Sequence, residues 1–147
     1  MRAWVLAVGV MILGWSLWSG PVQAKSQMAS SASLEGSKWS VTITPDAAAV
    51  KQGQKPSKDT LIFKAGKLTS TACVKYGFLA SPYTSAAAQT GAWSFTTEQT
   101  SPKEGKMSWM GEASGNLVKG TMTWTKGDGS VLNYTFEGKK KAKPQAS

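Results

Sequence analysis

For covalent or proton-transfer chemistry this sequence offers eight carboxylates, lysine amines and one thiol, and it has no histidine. The commonest general base and metal ligand is therefore missing. Neither a Ser–His nucleophile nor a cysteine-rich zinc site can be assembled. A carboxylate pair of the glycosidase kind is the catalytic arrangement left, and it needs two acids facing one cavity. Glu98, Glu112 and Glu137 fall on the polar phase of alternating stretches, Glu104 and Asp128 fall in turns, and Asp59 opens a strand beside basic residues. Nothing aims two of them inward together. Lys126-Gly127-Asp128-Gly129 is turn chemistry, without further oxygen ligands at calcium-loop spacing. No glycine-rich loop leads from a strand into a helix to cradle phosphate. The expectation is a protein that is not an enzyme and carries no metal and no cofactor.

Binding is the better-supplied chemistry. Trp39, Trp93, Trp109 and Trp124 lie in separate stretches that alternate apolar with polar residues. Alternation puts every second side chain on one face of a strand, so the indoles point toward a shared interior. Phe63, Phe95 and Tyr134 fall on the same phase. Aromatics and methionines aimed at one centre either fill a narrow barrel outright or wall a pocket for an apolar or flat ligand. Trp39, Phe63, Trp93, Phe95, Trp109, Trp124 and Tyr134 are the candidate ligand-binding residues.

The elements that must position them are read as seven strands, at 38–44, 59–64, 67–75, 92–99, 105–113, 117–125 and 130–137. An eighth strand within 76–89 is the alternative. Ala65-Gly66 reads as a two-residue hairpin turn. Thr44-Pro45-Asp46 has the residue types of a helix start, with Thr44 as cap and Pro45 at the first helical position, and a helical turn would follow within a long loop. Short strands with polar turns and no long helix predict an all-β fold: a single-domain, up-and-down antiparallel β-barrel, or alternatively a β-sandwich. In a meander successive connections alternate between the two ends. The long loops at 45–58 and 76–91 therefore share one end and frame a mouth, while short turns close the other.

Cys73 is the chain's one cysteine, which excludes an intramolecular disulfide. Within 67–75, Leu68, Ser70, Ala72 and Val74 share a face, which puts Cys73 on the outer one. A small residue tucked beneath a loop is its expected role.

Residues 1–24 read as a signal peptide. Arg2 precedes an apolar run over 3–18, and Val22-Gln23-Ala24 offers the small residues a signal peptidase reads, with cleavage after Ala24. The run is slightly short of the ~17–25 residues that span a bilayer. The expected location is periplasmic or extracellular. Residues 25–33 form a flexible lead-in, 34–138 the barrel, and 139–147 a basic, disordered tail.

Lysine and arginine total 17 against 8 acids, for a net charge of +9. Nucleic acid is not the expected partner, because Arg2 is the only arginine and leaves with the leader. Lys139, Lys140, Lys141 and Lys143 in the tail suit weak, salt-sensitive contact with anionic lipid or cell-wall polymers.

Leu34-Glu35-Gly36-Ser37-Lys38-Trp39 resembles the Gly and Trp opening of lipocalin-like and avidin-like barrels, the calycin architecture. Those families write Gly-x-Trp where this chain has Gly-x-x-Trp. Ser108-Trp109-Met110-Gly111 and Gly120 through Trp124 are similar to the later Trp-bearing strands of avidin-like proteins. The resemblance implies an antiparallel barrel holding a small hydrophobic molecule. It also implies a basic residue from the last strand packed over the first tryptophan, with Lys139 the nearest candidate. No biotin-binding set carries over. The functional expectation is an exported binding protein for a small hydrophobic or aromatic ligand. The alternative is an envelope structural or interaction protein with a self-filled core, acting through its lysine-rich tail.

Overall fold

The computed structural model describes residues 34–144. The expected leader at 1–24, the lead-in at 25–33 and the last three tail residues lie outside them. Eight antiparallel strands, each hydrogen-bonded to its sequence neighbours, close into a barrel with β8 beside β1. They are β1 (Lys38–Pro45), β2 (Ser57–Lys64), β3 (Lys67–Ser70), β4 (Ser81–Ala87), β5 (Trp93–Ser101), β6 (Gly105–Ser114), β7 (Leu117–Thr125) and β8 (Val131–Lys140), with a short helix α1 (Ala47–Lys51) after β1 and a 3₁₀ turn (Val74–Tyr76) after β3.

Strict alternation drives the closure. In β1, Trp39, Val41 and Ile43 are buried while Lys38, Ser40, Thr42 and Thr44 face solvent. The same phase holds in β5 and β8, so these strands each turn one set of alternate side chains to a single interior. At the barrel's centre the rings of Phe63 and Phe95 meet edge-on at 4.9 Å, Phe95 and Phe136 lie 6.2 Å apart, and Trp109 and Phe136 5.5 Å apart. Gly111 and Gly120 face each other across β6 and β7. A Cβ on Gly111 would stand 2.7 Å from the Phe95 and Phe136 rings, and one on Gly120 2.6 Å from Phe136. These glycines leave the room the rings occupy, and the middle of the barrel is solid.

The eighth strand, β4, lies inside the stretch read as a long loop over 76–91. Its residues are small and mostly exposed, Ser-Pro-Tyr-Thr-Ser-Ala-Ala, so it carries almost no apolar alternation. Only Lys67–Pro82 and Leu68–Ser81 pair it with β3. Adding it re-sorts the connections. The long loops that remain, 46–56 and 71–80, share one end, but the expected 76–91 loop is divided by β4 and its last residues, 88–91, lie at the opposite end. The turns at 102–104 and 126–130 lie with the two long loops, while 65–66, 88–92 and 115–116 close the other end.

Three local expectations are corrected. Asp46, rather than Thr44, caps α1, accepting a hydrogen bond from the Ala49 N–H at 2.7 Å, and Pro45 ends β1 instead of opening the helix. β3 stops at Ser70, so its alternation does not run on to Val74. Cys73 turns inward from the 71–80 loop and is buried, and Val74 is exposed. Finally, β8 runs on through Lys140 and takes Lys139 and Lys140 out of the expected tail.

Candidate functional site: the loop-framed mouth

Above the aromatic centre the barrel opens into a cavity of about 510 Å³ at the long-loop end. Its walls are Ile43 of β1, Met107 of β6, Met122 and Trp124 of β7 and Tyr134 of β8, with Phe78 entering from the 71–80 loop. Its rim carries Lys55 from the 46–56 loop, Lys58 from the start of β2, Lys75 and Tyr76 from the 3₁₀ turn, and Glu104 from the 102–104 turn. Both long loops thus line one space, and its volume falls in the range of small-molecule pockets.

The walls are pinned by hydrogen bonds. Trp124 Nε1 donates to the Glu104 carbonyl at 2.6 Å, and the Lys126 ammonium sits 5.1 Å from the centre of its indole. Ser101 Oγ donates to the Tyr76 carbonyl at 2.7 Å and accepts from the Glu104 N–H at 3.2 Å, tying the 3₁₀ turn to the β5–β6 turn. Gln99, fully buried, accepts from Trp109 Nε1 at 2.9 Å and donates to the Leu79 carbonyl at 2.9 Å. One side chain so joins the barrel centre to the mouth loop.

Asp59, placed at a strand opening by the sequence, is inward and buried. Its carboxylate accepts from Ser70 Oγ, from Thr71 Oγ1 at 3.0 Å, from the Ala72 N–H at 2.8 Å and from the Thr60 N–H at 2.6 Å. It organises the start of the 71–80 loop, and these bonds occupy it. Burial pushes the Cys73 thiol up from its ordinary value, which keeps it protonated and poorly nucleophilic. Burial also raises the Tyr134 phenol, with Asp46 and Cys73 adding smaller effects. Glu104 is the one acid on the cavity lining. Among the described residues no three His, Cys, Asp or Glu side chains gather where a metal ion could sit.

The seven aromatic residues expected to bind ligand separate into three groups. Trp124 and Tyr134 line the mouth. Trp39, Phe63, Phe95 and Trp109 are 2% exposed or less and belong to the packed core. Trp93, half-buried, packs on the core at the opposite end, opposite Ala113 of β6 and Ala87 of β4. Alternation assigns all seven to the interior but carries no information about depth along the axis, which separates wall from filling. Met107 and Met122 stand on the same phase and would follow from it. Phe78, Lys55 and Lys75 come from loops, where no period places them.

At the closed end Trp39 Nε1 donates to Ser37 Oγ at 2.8 Å, and the Lys140 ammonium lies 5.7 Å from its ring centre. Lys140, not Lys139, covers the first tryptophan, because Lys140 pairs with Trp39 on the inward phase while Lys139 faces out. Glu35 closes the β2–β3 hairpin: its carboxylate accepts from the Ala65 N–H, from the Gly66 N–H at 3.1 Å and from Tyr83 Oη at 2.9 Å. Those bonds hold Glu35 below the usual carboxylate range. Burial, together with Glu35, pushes the Tyr83 phenol up to about 12. A groove outside the barrel at this end is lined by Lys38, Lys140, Lys141 and Lys143, without an aromatic floor. Lys141 is held there by its N–H to the Lys38 carbonyl at 2.8 Å and by Nζ to Thr60 Oγ1 at 3.2 Å.

No protein-family model matches the chain, and neither a curated protein nor a solved structure is significantly similar to it.

Proposed function

We propose that this protein is an exported, calycin-like binding protein that holds a small hydrophobic or aromatic ligand in the mouth of its barrel. The observation that carries the reading is the cavity of about 510 Å³ floored by methionine, tryptophan and tyrosine under two loops. Adaptable thioethers beside a fixed indole suit a flat apolar guest. The aromatic centre below limits how far a guest can descend, so the ligand is short along the barrel axis. The Gly and Trp opening and the Lys140–Trp39 stack support the calycin comparison. The reading is of binding rather than catalysis, since the rim offers a single carboxylate. Export rests on the sequence of 1–24 and predicts a mature protein beginning at Lys25, which intact mass of protein secreted by its host would test.

Titration with neutral two-ring aromatics, read by tryptophan fluorescence, tests the binding site. Wild type binds, Trp124→Ala loses most of the affinity, and Trp93→Ala at the far end keeps it. Equal losses in the two variants, or no binding by wild type, would remove the mouth as the site.

A second reading has its own support. The solid centre and the lysines gathered at the closed end suit an envelope protein that contacts anionic lipid or cell-wall polymer through Lys139, Lys140, Lys141 and Lys143. It predicts salt-sensitive retention on anionic vesicles that falls when those lysines become glutamine.

A further inference from the structure

The mouth is apolar at its floor and cationic at its rim, and its charges are unevenly engaged. The carboxylates at this end are used by their own backbone turns: Asp46 caps α1 through the Ala49 N–H at 2.7 Å, and Asp128 accepts from the Ser130 N–H and Oγ at 2.9 and 2.6 Å. Asp59 is buried and bonded within its turn. Glu104 remains on the lining, which it shares with Lys55, Lys58 and Lys75. The lysines are not consumed in the same way. Among the described residues the single ion pair is Lys106–Glu98 at 3.0 Å, on the outer wall between β5 and β6. Lys55, Lys58 and Lys75 form none, and Lys75 rests over the Tyr76 ring at 4.9 Å. Lys126 adds a further ammonium above Trp124.

From this we infer that the ligand of the mouth is an anion: an apolar, ring-sized body seated on Met107, Met122 and Trp124, with a carboxylate or similar acidic group held among Lys55, Lys58 and Lys75. This deepens the mouth-binding reading and rests on it. Lys55 and Lys75, on neighbouring long loops, and Lys58, at the start of β2, line one apolar-walled cavity, where their field is less screened than on an open surface. Few polar groups at the edge of an apolar pocket are what fixes a guest's orientation. The closed-end groove has lysines but no methionine or aromatic side chain on its lining, so it lacks the ring-gripping half of the recognition.

The test compares 2-naphthoate with its uncharged isostere 2-naphthamide on the full mature chain, by calorimetry at low and high salt. Naphthoate binds about tenfold more tightly at low salt, the size expected of a few partly screened charge contacts. The preference shrinks as salt rises. In the triple variant Lys55→Gln, Lys58→Gln, Lys75→Gln, naphthoate affinity drops to that of the amide. Equal binding of the two probes by wild type overturns the anion inference and leaves the mouth-binding reading standing. A preference that survives in the triple variant overturns the assignment to these lysines. Failure of both probes to bind overturns both proposals together.

Discussion

The two halves of the barrel use the same alternating code to opposite effect. Toward the closed end and the centre, inward positions carry rings that touch one another, and facing glycines at Gly111 and Gly120 bring them within packing distance. Toward the mouth, inward positions carry methionines, one indole and one phenol, and the space above is bounded by loops instead of more rings. Alternation makes a closed wall; what lies beneath it depends on side-chain volume layer by layer. A filled centre provides stability in a chain that can form no internal disulfide, and the mouth end carries a recess over buried Met107, Met122 and Tyr134.

The largest expected effect separates the halves by stability. Phe136→Ala removes a ring that touches Phe95 and Trp109, and should cost about 3–5 kcal/mol in denaturant unfolding. Trp124→Ala removes a half-buried indole and should cost about 1–2 kcal/mol. Equal costs would show that the mouth is packed as tightly as the centre. Next comes the link between the halves. Gln99→Leu strips the partner from Trp109 Nε1 and should destabilise by about 1–3 kcal/mol. Adding Trp109→Phe, which removes the orphaned donor, should cost less than the sum of the two single changes.

A third prediction concerns the closed end alone. Of the three tyrosines, Tyr83 should ionise late, at about 12 rather than 10.0. Phenolate absorbance in Tyr83→Phe identifies it, and Glu35→Gln should bring it down. The sign follows from linkage: a raised folded pKa favours the protonated phenol in the native state. Its contribution is complete below pH 10 and is lost as pH rises through about 12. Glu35 acts in the opposite sense, because its folded pKa is lowered. Its contribution is present above the ordinary carboxylate value and is lost as acid titrates it through the lower folded one. Glu35→Gln should therefore flatten the acid limb of the stability profile. The smallest effect is Ala65→Gly. Ala65 holds φ at +53° in the β2–β3 turn, which glycine adopts without steric cost. A gain of about 0.5 kcal/mol is expected.

Much of the fold was legible because burial on one face leaves a period of two. The inward sets of β1, β5 and β8 could be written directly from the residues. β4 was legible only as the alternative eighth strand within 76–89, because Ser81, Tyr83, Ser85 and Ala87 show no apolar contrast with their neighbours; the barrel needs that strand for closure rather than for core. Cys73 was misplaced because Asp59 turns the chain after Ser70, and that bond pattern spans positions 59 to 72, beyond the reach of local periodicity. The candidate site was legible as an interior and not as a position. Trp124 and Tyr134 fell at the mouth, while Trp39, Phe63, Phe95 and Trp109 became the filling. Lys55 and Lys75 lie on loops, where no period places them, and the alternation of connections in the meander brings both to the same opening.

The division into a solid centre and a recessed mouth is tested most directly by the indole N–H resonances of Trp39, Trp93, Trp109 and Trp124 in ¹⁵N-labelled protein. On addition of 2-naphthamide the Trp124 cross-peak should move while those of Trp39 and Trp109 stay in place, and the Trp109 proton, bonded to Gln99, should exchange with deuterium only on unfolding. Movement of the Trp109 or Trp39 peak with Trp124 unchanged, or rapid exchange at Trp109, would contradict the account.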